Sequence, residues 1–176
     1  VGFLGKGGSG KSTLATALAK HLYATQNEVL AIDADHNMDL AWNLISDGNL
    51  PYLGESVGDL NKFAGIQKED SYKQIFYTGL TPKFTLSPAD EFTKKYRKEI
   101  ASGFHIMASG PHTETVLHGN KCSHSLSTSL KVYLPFLEPK ENEAVVIDEK
   151  ASSDAAGTGV PTGFTLSYIV AEPTPH

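Results

Sequence analysis

Gly5-Lys6-Gly7-Gly8-Ser9-Gly10-Lys11-Ser12-Thr13 follows the apolar run Val1-Gly2-Phe3-Leu4 and opens a helical pattern. This is G-x-x-x-x-G-K-[ST] between a strand and a helix, the setting in which backbone N–H groups cradle phosphates. Glycines let the chain turn tightly and leave room for a polyphosphate to approach the backbone. The spacing predicts that Gly7, Gly8, Ser9, Gly10, Lys11, Ser12 and Thr13 hold a nucleoside triphosphate. Lys11 would meet the outer phosphates as a point charge and Ser12 would offer its hydroxyl to Mg²⁺. The following helix would aim its positive end at the same anion.

Leu14, Leu18 and Leu22 recur every four residues with alanines at 15, 17 and 19 between them, which predicts a helix packed closely on a sheet. Glu28–Asp33 reads as a second strand ending in an acid, 40–45 as a short helix, and Val57–Ala64 and 68–77 as helices. Ser87 is expected to cap a helix over 88–99, with the run Lys94-Lys95-Tyr96-Arg97-Lys98 on its solvated face. Phe104–Ala108 reads as a central strand and 123–138 as a helix with Pro135 in its last turn. The run 144–148 and the run 166–171 read as buried strands. Strands apolar on both faces, alternating with helices, predict an α/β fold: a doubly wound, mainly parallel sheet with helices on both sides. The ligand then lies at the carboxyl ends of the strands.

At 176 residues the chain fits one domain, residues 1–176, and its ends lead us to expect that a C-terminal portion is missing. No apolar run approaches the roughly 20 residues of a membrane span, and no signal-peptide pattern is present. A net charge of −5 argues against a dedicated nucleic-acid binder. One cysteine excludes an internal disulfide and suits the cytoplasm. Asp148 closes the Val-Val-Ile run in the manner of an acid that holds the Mg²⁺ shell. Asp33-Ala34-Asp35 closes the second strand, either as part of the site or as a turn-forming pair.

Lys6, inside the glycine run, makes the loop resemble the deviant Walker A motif of the MinD/ParA, nitrogenase iron protein and CooC-type ATPases of the P-loop class. The resemblance implies ATP as the nucleotide, although the residues themselves do not separate it from GTP. It also implies a homodimer in which Lys6 reaches the partner's phosphates, much as an arginine finger does. By the same resemblance Asp35 directs the attacking water, Asp33 supports the Mg²⁺ shell, and Lys6, Lys11 and Asp35 are the catalytic set.

Asp33-Ala34-Asp35-His36-Asn37-Met38-Asp39-Leu40 is similar to the D-A-D-P-N-x-x-L of the CooC-type maturation ATPases, with His36 in place of proline. Asp148-Glu149-Lys150-Ala151-Ser152 resembles their D-x-E-A-G second switch, and Val170-Ala171-Glu172-Pro173-Thr174 their V-V-E-P-T strand end. Ser152 stands at the switch glycine, and Lys150 is foreign to the motif. Cys122-Ser123-His124 occupies the place of their metal-binding C-x-C. Two chains would supply a Cys₂His₂ set from Cys122 and His124, suited to Zn²⁺ and less so to Ni²⁺. The other reading is a buried thiol beside a helix-capping pair.

The leading expectation is a dimerising ATPase that serves a client metalloenzyme during metallocentre maturation. The alternatives are a MinD/ParA-like positioning ATPase and a nucleotide-gated interaction module that does not hydrolyse. His36, His112 and His118 are scattered in the sequence and receive no ligand role.

Overall fold

The structure, a computed structural model, describes residues 1–25, 28–47, 49–66, 75–112, 127–151 and 159–173. Six strands form one sheet: β1 (Gly2–Gly5), β2 (Glu28–Asp33), β3 (Lys98–Ala101), β4 (Phe104–Ala108), β5 (Glu143–Asp148) and β6 (Ser167–Val170). Their order is β3-β4-β2-β5-β1-β6. All neighbours run parallel except β3, which pairs antiparallel with β4.

Side chains alternate across the sheet, as strand geometry requires. Val29, Ala31, Phe104, Ile106 and Val146 face one core, with Ala15 and Ala19 of α1 (Lys11–Ala24) and Leu40 and Ala41 of α2 (Asp39–Leu44). Leu30, Ile32, Met107 and Ile147 face the other. That second core takes Leu60 from α3 (Val57–Ala64), Ile75 from α4 (Ile75–Thr78) and Phe92 from α5 (Glu91–Tyr96). Leu130 and Tyr133 enter it from α6 (Thr128–Tyr133). Both faces of the central strands β2 and β4 are covered. Small residues line the α1–α2 side, whereas Phe84, Phe92 and Tyr133 pack ring on ring on the other.

The close packing of α1 on the sheet is as expected, with Ala15 and Ala19 fully buried and Leu18 and Leu22 packed beside them, while Leu14 is 47% exposed. Several expectations are corrected. The helix expected over 88–99 is only Glu91–Tyr96, because its cap is Asp90 and not Ser87. From Lys98 the chain is strand β3. The basic run is therefore split between a helix end and a strand. Three of its four charges are paired, Lys95 with Asp59, Arg97 with Glu28 and Lys98 with Asp47, and Tyr96 is buried.

Within 123–138 the described helix is Thr128–Tyr133, and Pro135 lies in a tighter 3-10 turn, Leu134–Phe136. The strand read over 166–171 is not buried. β6 lies at the end of the strand order and leaves Leu166, Tyr168 and Ile169 exposed, although the Tyr168 ring stacks on Phe3 at 5.5 Å.

Met38, just before α2, is a buried residue held at φ 59, in the left-handed region. Asp90 is a denser junction. Its carboxylate accepts from Thr93 N at 2.9 Å, Thr85 N at 2.8 Å and Thr93 Oγ1 at 2.6 Å. Thr93 Oγ1 in turn lies 2.9 Å from the Tyr133 hydroxyl, tying α5 to α6. Asp90→Ala is expected to lower the unfolding free energy by about 2 kcal/mol in urea titration, the upper range for loss of a helix cap.

Candidate functional site

A cavity of about 310 Å³ lies where β1 turns into α1. One wall is the glycine turn and first helical residues, Gly7, Gly8, Gly10, Lys11, Ser12 and Thr13. Asp35, Asn37, Asp39 and Asn43 form the other wall, and Ala151 closes it beyond β5.

Hydrogen bonds converge on one carbonyl inside the turn. The Lys6 carbonyl accepts from Ser9 N at 3.3 Å, Ser9 Oγ at 2.8 Å and Lys11 Nζ at 3.2 Å. Lys11 is thereby buried under the loop, Ser9 points back into it, and the Lys6 side chain stays exposed. Gly10 caps α1 at φ 93, a conformation that suits glycine. Gly5 is also required: a Cβ there would come within 2.2 Å of the Val170 carbonyl oxygen. No side chain caps α1 and no acid occupies its first turn. The N-terminal end of this 14-residue helix thus presents its dipole and N–H groups to the cavity.

Behind the cavity lie two buried acids, Asp33 and Asp148, which are register partners on β2 and β5. Asp33 accepts from Asp35 N at 3.0 Å and Ala41 N at 2.8 Å. Burial pushes its pKa up to about 8. The negative charges of Asp148 and Asp35 add to the rise, and the two backbone N–H groups oppose it.

Asp148 is different, because neither of its buried oxygens has a well-formed hydrogen bond. Burial raises its pKa to about 6, helped by Asp35 and Asp39, while the nearby Ser12 hydroxyl and Lys11 ammonium pull it down. An orphaned carboxylate beside a serine hydroxyl is a donor set that fits Mg²⁺, a hard cation that binds through few carboxylates and keeps its waters.

Asp35 bridges the two sides of the cavity. It accepts from Asn37 N at 3.2 Å and from Ala151 N at 3.4 Å. The site therefore gathers the glycine turn and Asp35 around one space, with Asp33 and Asp148 behind it.

These positions agree with a match of residues 3–154 to the CobQ/CobB/MinD/ParA nucleotide binding domain family. The chain belongs to this family. It is 27% identical over 179 residues to the uncharacterized ATP-binding protein MJ0084 of Methanocaldococcus jannaschii, covering 99% of this chain and 67% of that protein. It is 29% identical over 175 residues to the carbon monoxide dehydrogenase accessory protein CooC of Rhodospirillum rubrum, covering 98% of this chain and 62% of that protein. Among solved structures, a plasmid partition protein of Borrelia burgdorferi B31 bound to AMPPNP shares the fold. Its TM-score is 0.50 at 21% identity, over 96% of this chain and 59% of that one. The chain thus spans roughly two thirds or less of its relatives' lengths.

Asp39 and Asn43 were not among the residues the sequence singled out for this MinD/ParA-family site. Their i, i+4 spacing on α2 was the available signal, since it puts both on one helix face. Asn43 Nδ2 donates to Thr16 Oγ1 at 3.4 Å, and Thr16 Oγ1 donates to Ser12 O at 2.6 Å, so α2 is linked to the start of α1. His36 and His112, scattered in sequence, meet with ring centroids 4.5 Å apart.

Cys122, His124, His118, Ser152 and Thr174 lie outside the described residues. Among the described residues no group of three or more His, Cys, Asp or Glu is placed to hold a metal, and no helix is long and apolar enough to cross a membrane. A larger cleft of about 430 Å³, lined by Asp59, Lys62, Phe63, Glu91, Phe92 and Lys95, receives no residue from the strand ends.

Asp148→Asn keeps the shape and removes the buried charge. The folded pKa is raised, so the unmodified protein loses stability as pH climbs through about 6. The variant, without ligand, is expected to be more stable than the parent at pH 8 by on the order of 1–3 kcal/mol. Below pH 4 the two should be equal, as read by denaturant titration at both pH values.

Proposed function

We propose that this chain is a Mg²⁺-dependent ATP-binding and ATP-hydrolysing switch, active as a homodimer and serving a metalloenzyme client. The observation that carries the reading is the pairing of an uncapped α1 N-terminus at the cavity with the unpartnered Asp148 carboxylate behind it, beside Ser12. The helix terminus suits phosphate and the carboxylate beside Ser12 suits a cation, which is the charge pattern of a metal–nucleotide complex. ATP is favoured by similarity to an ATP-binding relative, and the client by similarity to CooC.

Phosphoryl transfer runs on positioning and charge neutralisation more than on covalent participation. Gly7, Gly8 and Gly10 with the first N–H groups of α1 hold the phosphates, and Lys11 is already buried at their outer end. Mg²⁺, when bound, neutralises charge on the phosphate oxygens, with Ser12 and Asp148 as its protein ligands. Asp33 supports that shell from behind, through its hold on Asp35 and Ala41. Asp35, with one oxygen toward Asn37 and one toward Ala151, orients the attacking water. The exposed Lys6 reaches the partner protomer's phosphates. Cys122 and His124 are the proposed Zn²⁺ or Ni²⁺ ligands between two chains, and metal titration of Cys122→Ser tests this through a loss of bound metal per dimer.

Trp42 is the sole tryptophan, half exposed on α2 beside Asn43. Its fluorescence is expected to change saturably with ATP in the presence of Mg²⁺ and not with ATP plus EDTA. Absence of any Mg²⁺-dependent response, confirmed by equilibrium dialysis, would overturn the nucleotide reading. Asp35→Asn should lower single-turnover hydrolysis by roughly 10²-fold or more with ATP affinity unchanged. Lys6→Ala should lower it roughly 10³-fold and leave the protein monomeric with ATP in light scattering.

A further inference from the structure

We infer that His36 and Lys150 form a latch across the cavity mouth, Lys150 Nζ donating to His36 Nε2 and so keeping Asp35 in place for the nucleotide. The latch rests on the nucleotide-switch reading above and names a positioning pair within it. His36 is buried, and its Nδ1 lies 3.1 Å from the Gly110 carbonyl oxygen. A carbonyl only accepts, so Nδ1 carries the proton and Nε2 of the neutral ring is an acceptor. That acceptor is buried with no partner.

A buried acceptor without a donor is unfavourable, so the groups facing it decide what completes it. Burial holds the His36 pKa below the ordinary imidazole value, and the charges of His112 and Lys150 act in the same direction. The Gly110 bond and the Asp35 carboxylate oppose them. Of these neighbours, Asp35 is an acceptor, Gly110 O is already used, and His112 is in ring contact at 4.5 Å without donating to Nε2. Lys150 remains, a residue with three donors and no acceptor.

Backbone geometry supports the pairing independently. Ala151 N lies 3.4 Å from Asp35 Oδ2, so the chain at 150–151 runs alongside the chain at 35–36. Closing Lys150 onto His36 adds a second tie beside the Asp35–Ala151 contact. Asp35 is then gripped from β4 through Gly110 and from the end of β5 through Lys150. Proline at position 36 would offer neither nitrogen.

The test uses the full chain with ¹⁵N-labelled histidine, with and without Mg²⁺ and AMPPNP. The His36 Nε2 resonance of the nucleotide-loaded protein should sit at a hydrogen-bonded position. In Lys150→Met it should return to that of a free lone pair. His36→Leu should lower kcat roughly tenfold with KM unchanged, and Lys150→Met should add nothing to that loss. His36→Gln, which can donate to Gly110 O and accept from Lys150, should restore kcat. An Nε2 resonance identical in parent and Lys150→Met, in both nucleotide states, overturns the latch while leaving the nucleotide reading intact. Additive kinetic losses overturn it equally. Failure of Trp42 fluorescence to respond to MgATP marks the other failure, that of the nucleotide reading on which the latch's role depends.

Discussion

The carboxylate of Asp33 is the point on which the site is assembled. It is fully buried at the end of β2, and its two oxygens take the N–H groups of Asp35 and Ala41. Its carbonyl accepts from Ser109 N at 2.8 Å, at the end of β4, and it stands in register with Asp148 on β5. One residue thus ties three strand ends to the entry of α2. Removing the carboxylate would leave the buried Ala41 N–H and the half-buried Asp35 N–H without their acceptor, a loss larger than that of an average hydrogen bond. The direction of the segment that carries Asp35 toward the phosphate turn follows from this one buried group.

Around that anchor the cavity is polarised. The glycine turn, Lys11 and the α1 N-terminus supply positive potential on one side. Asp35, Asp39 and the buried Asp148 supply negative potential on the other. A phosphate alone would face the acids, and a cation alone would face the lysine and the helix dipole. A phosphate–cation pair would suit both sides, in keeping with the proposed Mg²⁺–nucleotide complex, and the buried carboxylate of Asp148 would then be a group held at a cost in stability for the sake of that ligand.

Much of this was legible in the chain. The phosphate turn needs specific residue types at fixed spacing, and the strands Glu28–Asp33 and Phe104–Ala108 and the helix Val57–Ala64 coincide with what their patterns predict. The misreadings share a physical cause, because each depended on a distant neighbour. Lys98 joins a strand since β4 offers a free edge to pair with, whatever the helical character of the residues before it. The strand read over 166–171 is exposed because β6 lies at the end of the strand order, a place set by its pairing with β1. The meeting of His36 with His112 and Gly110 spans more than 70 residues and follows from β2 lying beside β4. No local pattern records such a pairing.

Met38 carries one more consequence. Its backbone adopts a shape that a side-chain-bearing residue avoids, and it does so because the methionine is buried in the small-residue core. The turn between Asp35 and α2 is therefore chosen by packing against the inclination of its own chain, like a spring held by a catch. A left-handed backbone costs a residue with a side chain on the order of 1 kcal/mol, and burial of the methionine offsets that cost. Position 38 therefore joins two tasks, since the same buried side chain that fills the core sets the angle at which the chain leaves Asp35 for α2.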